Sequence, residues 1–173
     1  MAKDGTLGAE RIVTVATGLC AALGYAHSHG IIHKDVKPSN IMMGLSGVKL
    51  IDFGCAVQFP EPASSEDIIQ GTPNYMSPEQ VRGDELDQRT DVYSVGMTLF
   101  FAVIERVAFG DGSYTARMNQ KLVHEIPDPL SINPQIPPYF GRIIARACLR
   151  KRTDRYPIMS DLLGDLLELP RHI

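Results

Sequence analysis

The chain is short of cysteines, of long apolar runs and of net charge of either sign, and each shortage removes a class of protein. Cys20, Cys55 and Cys148 are odd in number, far apart and never in a CxxC spacing, which excludes a disulfide framework or a cysteine zinc site. Such cysteine usage predicts a reducing, cytoplasmic setting. The longest mostly apolar stretch, Val92 to Ile104, falls short of the roughly 18 residues that read as a transmembrane helix, and suits a buried core helix instead. The opening "MAKDGTLGAER" has no apolar h-region of the kind a signal peptide carries. A net charge of −3 and a pI near 5.9 offer no basic face, so neither nucleic acid nor an anionic membrane is expected as a partner.

With 173 residues, 44% of them hydrophobic, the chain has material for one core, and one unit over residues 1–173 is expected. Ile12, Val15, Ala16, Leu19, Cys20, Leu23 and Ala26 recur at three- and four-residue intervals, the period of an amphipathic helix. Gly30 supplies its stop, since glycine accepts a left-handed conformation. Two apolar runs, "NIMM" and "VKLI", flank "GLSG" and predict a small hairpin over 41–51. From Asp52 to about Glu79, Pro60, Pro62, Pro73 and Pro78 interrupt any period, and a long functional loop is expected. Then follow a helix near 90–105, a Gly- and Pro-punctuated stretch to 138, and helices near 138–149 and 158–169. No internal repeat or interdomain linker is visible.

The order of the motifs is more specific than any one of them. A helix leads to "HKDVKPSN" at 33–40, then come the hairpin, "DFG" at 52–54, the long loop, "GTPNYMSPE" at 71–79, a helix opening on "DVYSVG", and Arg155 in "KRTDRYP". This series resembles the C-terminal lobe of a eukaryotic-type Ser/Thr protein kinase, and "YAHSHGIIHKDVKPSNIM" is similar to the bacterial members. The resemblance covers essentially the whole chain. It implies an α+β, mainly α fold: a helical lobe with a β-hairpin at the catalytic cleft.

It also implies ATP and Mg²⁺ as cofactors and a protein Ser or Thr hydroxyl as acceptor. Phosphoryl transfer needs an acceptor for the hydroxyl proton, a cation on the phosphates and metal-binding oxygens. By resemblance, Asp35 takes the first role, Lys37 the second, and Asn40 and Asp52 the third. Met42 matches the apolar floor of the adenine site, and His33 and Phe53, with Gly54 completing "DFG", match a mutually packed pair in the hydrophobic column that aligns the lobes of a kinase. Thr72 matches the hydroxyl that contacts the catalytic Asp and Lys. Asp91 matches the acid that holds the catalytic-loop backbone, and Glu79 and Arg155 match a buried ion pair.

Other features draw plainer readings. His27 and His29 are read as ordinary helix-end residues, "GDGSYT" at 110–115 as a loop before a helix, and "RKR" at 150–152 as a solvated helix terminus. Ser64 and Ser65 are candidate phosphosites, although Lys34 replaces the arginine that usually precedes the catalytic Asp.

The GxGxxG strand-turn-strand, strand lysine and helix glutamate of a complete kinase find no match, and none of the six lysines suits the phosphate-binding place of that strand lysine. The N-lobe is therefore expected to be missing or supplied by a partner chain. ATP affinity should then be poor, with an apolar face exposed around Met42, Leu50, Phe53 and the chain start. A kinase-like interaction module without catalysis is the alternative. A small-molecule phosphotransferase of the aminoglycoside type is a third, opposed by Lys37, "GTPNYMSPE" and Arg155.

Overall fold

A computed structural model of the chain describes residues 9–45, 47–59 and 72–168. It is mostly helical, with two short antiparallel pairings. The elements run α1 (Ala9–Ser28), β1 (Ile31–Ile32), β2 (Ile41–Gly44), β3 (Gly47–Leu50), β4 (Val57–Gln58), α2 (Pro78–Arg82), α3 (Arg89–Ile104), α4 (Tyr114–Val123), α5 (Pro129–Ile132), α6 (Pro138–Ala147) and α7 (Met159–Leu167).

Helix α3 is the axle. Twelve of its 16 residues are buried, so it is covered on every face rather than along one stripe, as befits a helix surrounded by others. Helices α1, α5, α6 and α7 pack on it. The approach of α6 depends on Gly96, because a Cβ there would lie 2.5 Å from Cys148 Sγ and 2.8 Å from Ala147 Cβ. The apolar stripe of α1 faces inward, with Ala16, Leu19, Cys20 and Leu23 at 1% exposure or less. That helix ends in a turn, with the Gly30 N–H donating to the His27 carbonyl at 3.0 Å and Gly30 at φ +72.

The hairpin forms as the alternating runs predict, with Ile41 opposite Leu50 and Met42 opposite Lys49. Leu50 departs from expectation. Its register points it with Ile41 toward the core, where it is half-buried, whereas Met42 and Phe53 are exposed as expected and Met43 and Ile51 join them.

The stretch read as one long loop carries structure at both ends. β4 pairs with β1, Ile32 opposite Val57, and α2 opens on a capping box in which Ser77 and Gln80 exchange bonds. Ser64 and Ser65 lie outside the described residues. The Gly- and Pro-punctuated stretch contains α4, capped by Ser113, and the single turn α5, capped by Asp128. "RKR" is not freely solvated: Arg150 donates to the Leu122 carbonyl at 3.2 Å and Arg152 to the Glu85 carbonyl at 2.6 Å.

Three buried titratable groups give the fold a pH signature. Burial pulls Lys121 of α4 from its ordinary 10.5 down to about 7, and pushes the Cys20 and Cys148 thiols from 9.0 up to about 12. The folded chain releases the lysine proton near pH 7 while the unfolded chain keeps it until 10.5, so Lys121 makes folding more favourable as pH rises between these values. The thiols act oppositely: the unfolded chain loses their protons from about 9 and the folded chain only near 12, so stability falls across that window. Denaturant midpoints are expected to give a gain of about 2 kcal/mol from Lys121 between pH 7 and 9, then a decline. Lys121→Met should abolish the gain, and a flat wild-type profile would refute the assignment.

Candidate active site

The loop between β1 and β2 is held from below by one carboxylate. Asp91, fully buried in the first turn of α3, accepts the His33 N–H at 2.8 Å on Oδ2 and the Lys34 N–H at 2.9 Å on Oδ1. It also accepts His27 Nε2–H at 2.8 Å. His27 is therefore no ordinary helix-end residue: its side chain is 4% exposed and spends its one bond on the loop's anchor. A buried carboxylate with three donors has its desolvation offset by charge-assisted bonds. With Lys34 so pinned, the chain passes through φ +68, and Asp52 across the cleft stands at φ +63. Two of the three left-handed non-glycine residues among those described thus lie in this site, where strain concentrates because surrounding bonds over-determine the backbone.

Around this loop the candidate residues converge. Lys37 Nζ donates to Asp35 Oδ2 at 2.6 Å and to Thr72 Oγ1 at 2.7 Å. The Thr72 backbone N–H, not its hydroxyl, reaches Asp35, at 2.9 Å on Oδ1. Asn40 Nδ2 donates to the Asp35 carbonyl at 2.9 Å and lies 3.4 Å from Oδ2. The Ile51 N–H donates to the Asn40 carbonyl at 2.9 Å, which sets Asp52 one residue from that contact. Asp52 itself is exposed, with Oδ1 accepting the Gly54 N–H at 3.2 Å. His33 is buried with its ring 4.7 Å from that of Phe53, edge on. Its Nδ1 accepts the Asp35 N–H and its Nε2 donates to the Ile51 carbonyl at 3.2 Å, a network that assigns the Nε2–H tautomer. Met42 lies exposed on β2.

Behind the loop, Glu79 and Arg155 form a forked pair at 2.6 and 2.9 Å. Gln80, Lys121 and His27, to which the sequence assigned no place in the site, also belong to the scaffold. Gln80 donates to the Lys34 carbonyl at 2.8 Å, and the S-x-x-Q spacing of "SPEQ" is the capping-box signal that could have marked it. Lys121 and His27 carried no comparable signal, since a lone lysine or histidine on a helix usually meets solvent.

A mostly helical body with two short antiparallel pairings beside an Asp, Lys and Asn loop is consistent with a protein-kinase-like fold. The family model "Protein kinase domain" matches residues 1–165. The chain is 35% identical over 175 residues to serine/threonine-protein kinase Pkn1 of Myxococcus xanthus, covering 96% of this chain and 25% of that protein. It is 32% identical over 170 residues to serine/threonine-protein kinase PknB of Mycolicibacterium smegmatis, covering 96% and 27%. It is 33% identical over 169 residues to the DNA damage-responsive serine/threonine-protein kinase RqkA of Deinococcus radiodurans, covering 93% and 24%. This chain belongs to the protein kinase family, in its bacterial serine/threonine type, and spans about a quarter of the length of these relatives. Among the described residues no helix is long and apolar enough to cross a membrane.

Proposed function

We propose that the chain carries the acceptor-facing and metal-facing side of a serine/threonine protein kinase site, which transfers phosphate from Mg-ATP to a protein Ser or Thr hydroxyl. The observation that carries this reading is the triangle of Asp35, Lys37 and Thr72, closed by contacts of 2.6, 2.7 and 2.9 Å. Asp35 has one oxygen on Lys37 and one on the Thr72 N–H, and carboxylate lone pairs remain for the incoming hydroxyl. It orients that hydroxyl and takes its proton. Two of the three ammonium hydrogens of Lys37 are committed, and the third is available to the transferring phosphate.

The oxygens present suit Mg²⁺, which is usually held by one or two carboxylates together with substrate phosphates. Asn40 commits its amide nitrogen to Asp35, leaving Oδ1 as the end that can face a cation, and Asp52 supplies an exposed carboxylate nearby. Bound there, Mg²⁺ neutralises charge on the phosphates. Met42 forms the floor for adenine. Met42, Met43, Ile51 and Phe53 are exposed, and the cover that a nucleotide over Met42 would need is assigned to a further polypeptide segment or a partner chain. Three unpaired cysteines support a reducing, cytoplasmic setting.

Labelled ATP, Mg²⁺ and a Ser/Thr-containing polypeptide test the proposal. Label is expected on acceptor hydroxyls, to vanish on chelation of Mg²⁺, and to keep rising with ATP past about 1 mM because the nucleotide is uncovered. Label that survives chelation would refute the metal role. Saturation at low micromolar ATP would refute the need for a cover.

A further inference from the structure

Lys121 is fully buried, and among the described residues no carboxylate lies within ion-pair distance of it. Its Nζ donates at 2.9 Å to the carbonyl of Asn74 and at 2.9 Å to that of Met76. The stem crosses Tyr93 and Phe109, with Nζ 5.4 and 5.6 Å from their ring centroids. An apolar side chain would fill the same space without desolvating an amine, so packing alone does not account for a lysine here. What methionine or leucine could not do is hold two carbonyls.

Those carbonyls belong to the segment that begins at Thr72, which touches both Asp35 and Lys37. The whole turn is tied down from the lobe side. Ser94 Oγ donates to the intervening Tyr75 carbonyl at 2.9 Å, and Arg117, one turn before Lys121 on α4, donates to Asn74 Oδ1 at 3.2 Å. Three consecutive carbonyls, 74 to 76, therefore point into the lobe, and the N–H groups of Tyr75 and Met76 fold back on the Thr72 carbonyl at 2.9 and 3.3 Å. Little backbone freedom is left. Residues 72–75 are half-buried, and Thr72 joins this turn to the proton acceptor and the phosphate cation.

We propose that Lys121 is a positioning residue for the acceptor polypeptide: by fixing the 74 and 76 carbonyls it sets the surface on which residues flanking the phosphorylated Ser or Thr lie. This rests on the kinase reading above, in that the acceptor must approach Asp35. Lys121 touches neither acceptor nor nucleotide. Its effect therefore falls on acceptor binding and on the register of Thr72, not on ATP.

Two readouts on the 173-residue chain test it, comparing wild type with Lys121→Met, which keeps the length and loses both bonds. Hydrogen exchange is expected to quicken at least about tenfold for residues 72–76 and to stay unchanged in α1 and α6. In the phosphotransfer assay the KM for a Ser-containing polypeptide should rise about tenfold or more, with the KM for ATP unchanged. Lys121→Gln, with a donor on a shorter stem, should fall between the two, and serves if the methionine variant does not fold. Unchanged exchange at 72–76, faster exchange spread over α1 and α6, or equal rises in both KM values would each overturn the proposal. A wild-type chain no more active than Asp35→Asn would count against the kinase reading itself, while the exchange result still decides whether Lys121 holds the turn.

Discussion

Asp35→Asn is expected to lower phosphoryl transfer by about 10²- to 10⁴-fold, the range that a positioned general base contributes, while leaving the fold in place. The substitution is nearly isosteric and retains one acceptor oxygen for the Thr72 N–H, 2.9 Å away. Its new amide group cannot accept a proton from a hydroxyl. If the remaining oxygen stays with Thr72, the amide also meets Lys37 Nζ, donor against donor, where the carboxylate now accepts at 2.6 Å. Lys37 is then free to turn toward Thr72 or solvent, so the phosphate cation loses its place together with the base. The effects of the two residues should consequently not add: Lys37→Met in the Asp35→Asn background should cost far less than in wild type. Initial rates at fixed Mg-ATP, with far-ultraviolet circular dichroism to confirm the fold, provide the measurement. Equal rates for wild type and Asp35→Asn would eliminate Asp35 as the base.

Much of this site was legible in the sequence because its members sit in two short runs with fixed spacing. Asp35, Lys37 and Asn40 lie within six residues, and the apolar periods on either side identify α1 and the hairpin that present them. The helices that carry continuous apolar patterns, α1, α3, α6 and α7, were legible for the same reason. What escaped has a local cause in each case. β1 and β4 are two residues each and pair across 25 residues of sequence, too short for any alternation to register. Helix α4 buries only Met118 and Lys121, so its inward stripe includes a lysine and carries no clear apolar period. α5 is one turn. His27 and Lys121 act through tertiary contacts 64 and 45 to 47 residues away, which no spacing rule reports. The inward side of Leu50 is not legible locally, because its pairing partner, Ile41, decides which way it points.

Arg155→Ala is expected to destabilise the chain by about 3–5 kcal/mol, the penalty for leaving one member of a buried ion pair alone. Its side chain is fully buried, that of Glu79 is 3% exposed, and the fork closes at 2.6 and 2.9 Å. All five guanidinium hydrogens have acceptors. The two beyond the Glu79 fork on the terminal nitrogens go to the carbonyls of Arg89 at 3.0 Å and Arg150 at 3.1 Å, and Nε–H goes to that of Leu149 at 2.6 Å. The plane lies 4.8 Å from the Tyr93 ring centroid. One residue thus ties α2, the start of α3 and the turn after α6 to a single point. Arg155→Lys should recover little, since an ammonium has three donors and no fork with which to meet five acceptor positions. Glu79→Ala should cost a similar amount, and Thr90, whose hydroxyl donates to Glu79 Oε1 at 3.2 Å, would lose its partner as well. The pair Glu79→Leu and Arg155→Met should be less damaging together than the sum of the two, because neither charge is then left buried and alone. Urea midpoints and slopes for the four proteins measure this. Additive losses in the double variant would show that the carbonyl contacts of Arg155, not its pairing with Glu79, dominate. Because α2 begins two residues beyond Met76, the same substitutions should also quicken exchange at 72–76, linking the stability of the pair to the placement of Thr72 against Asp35.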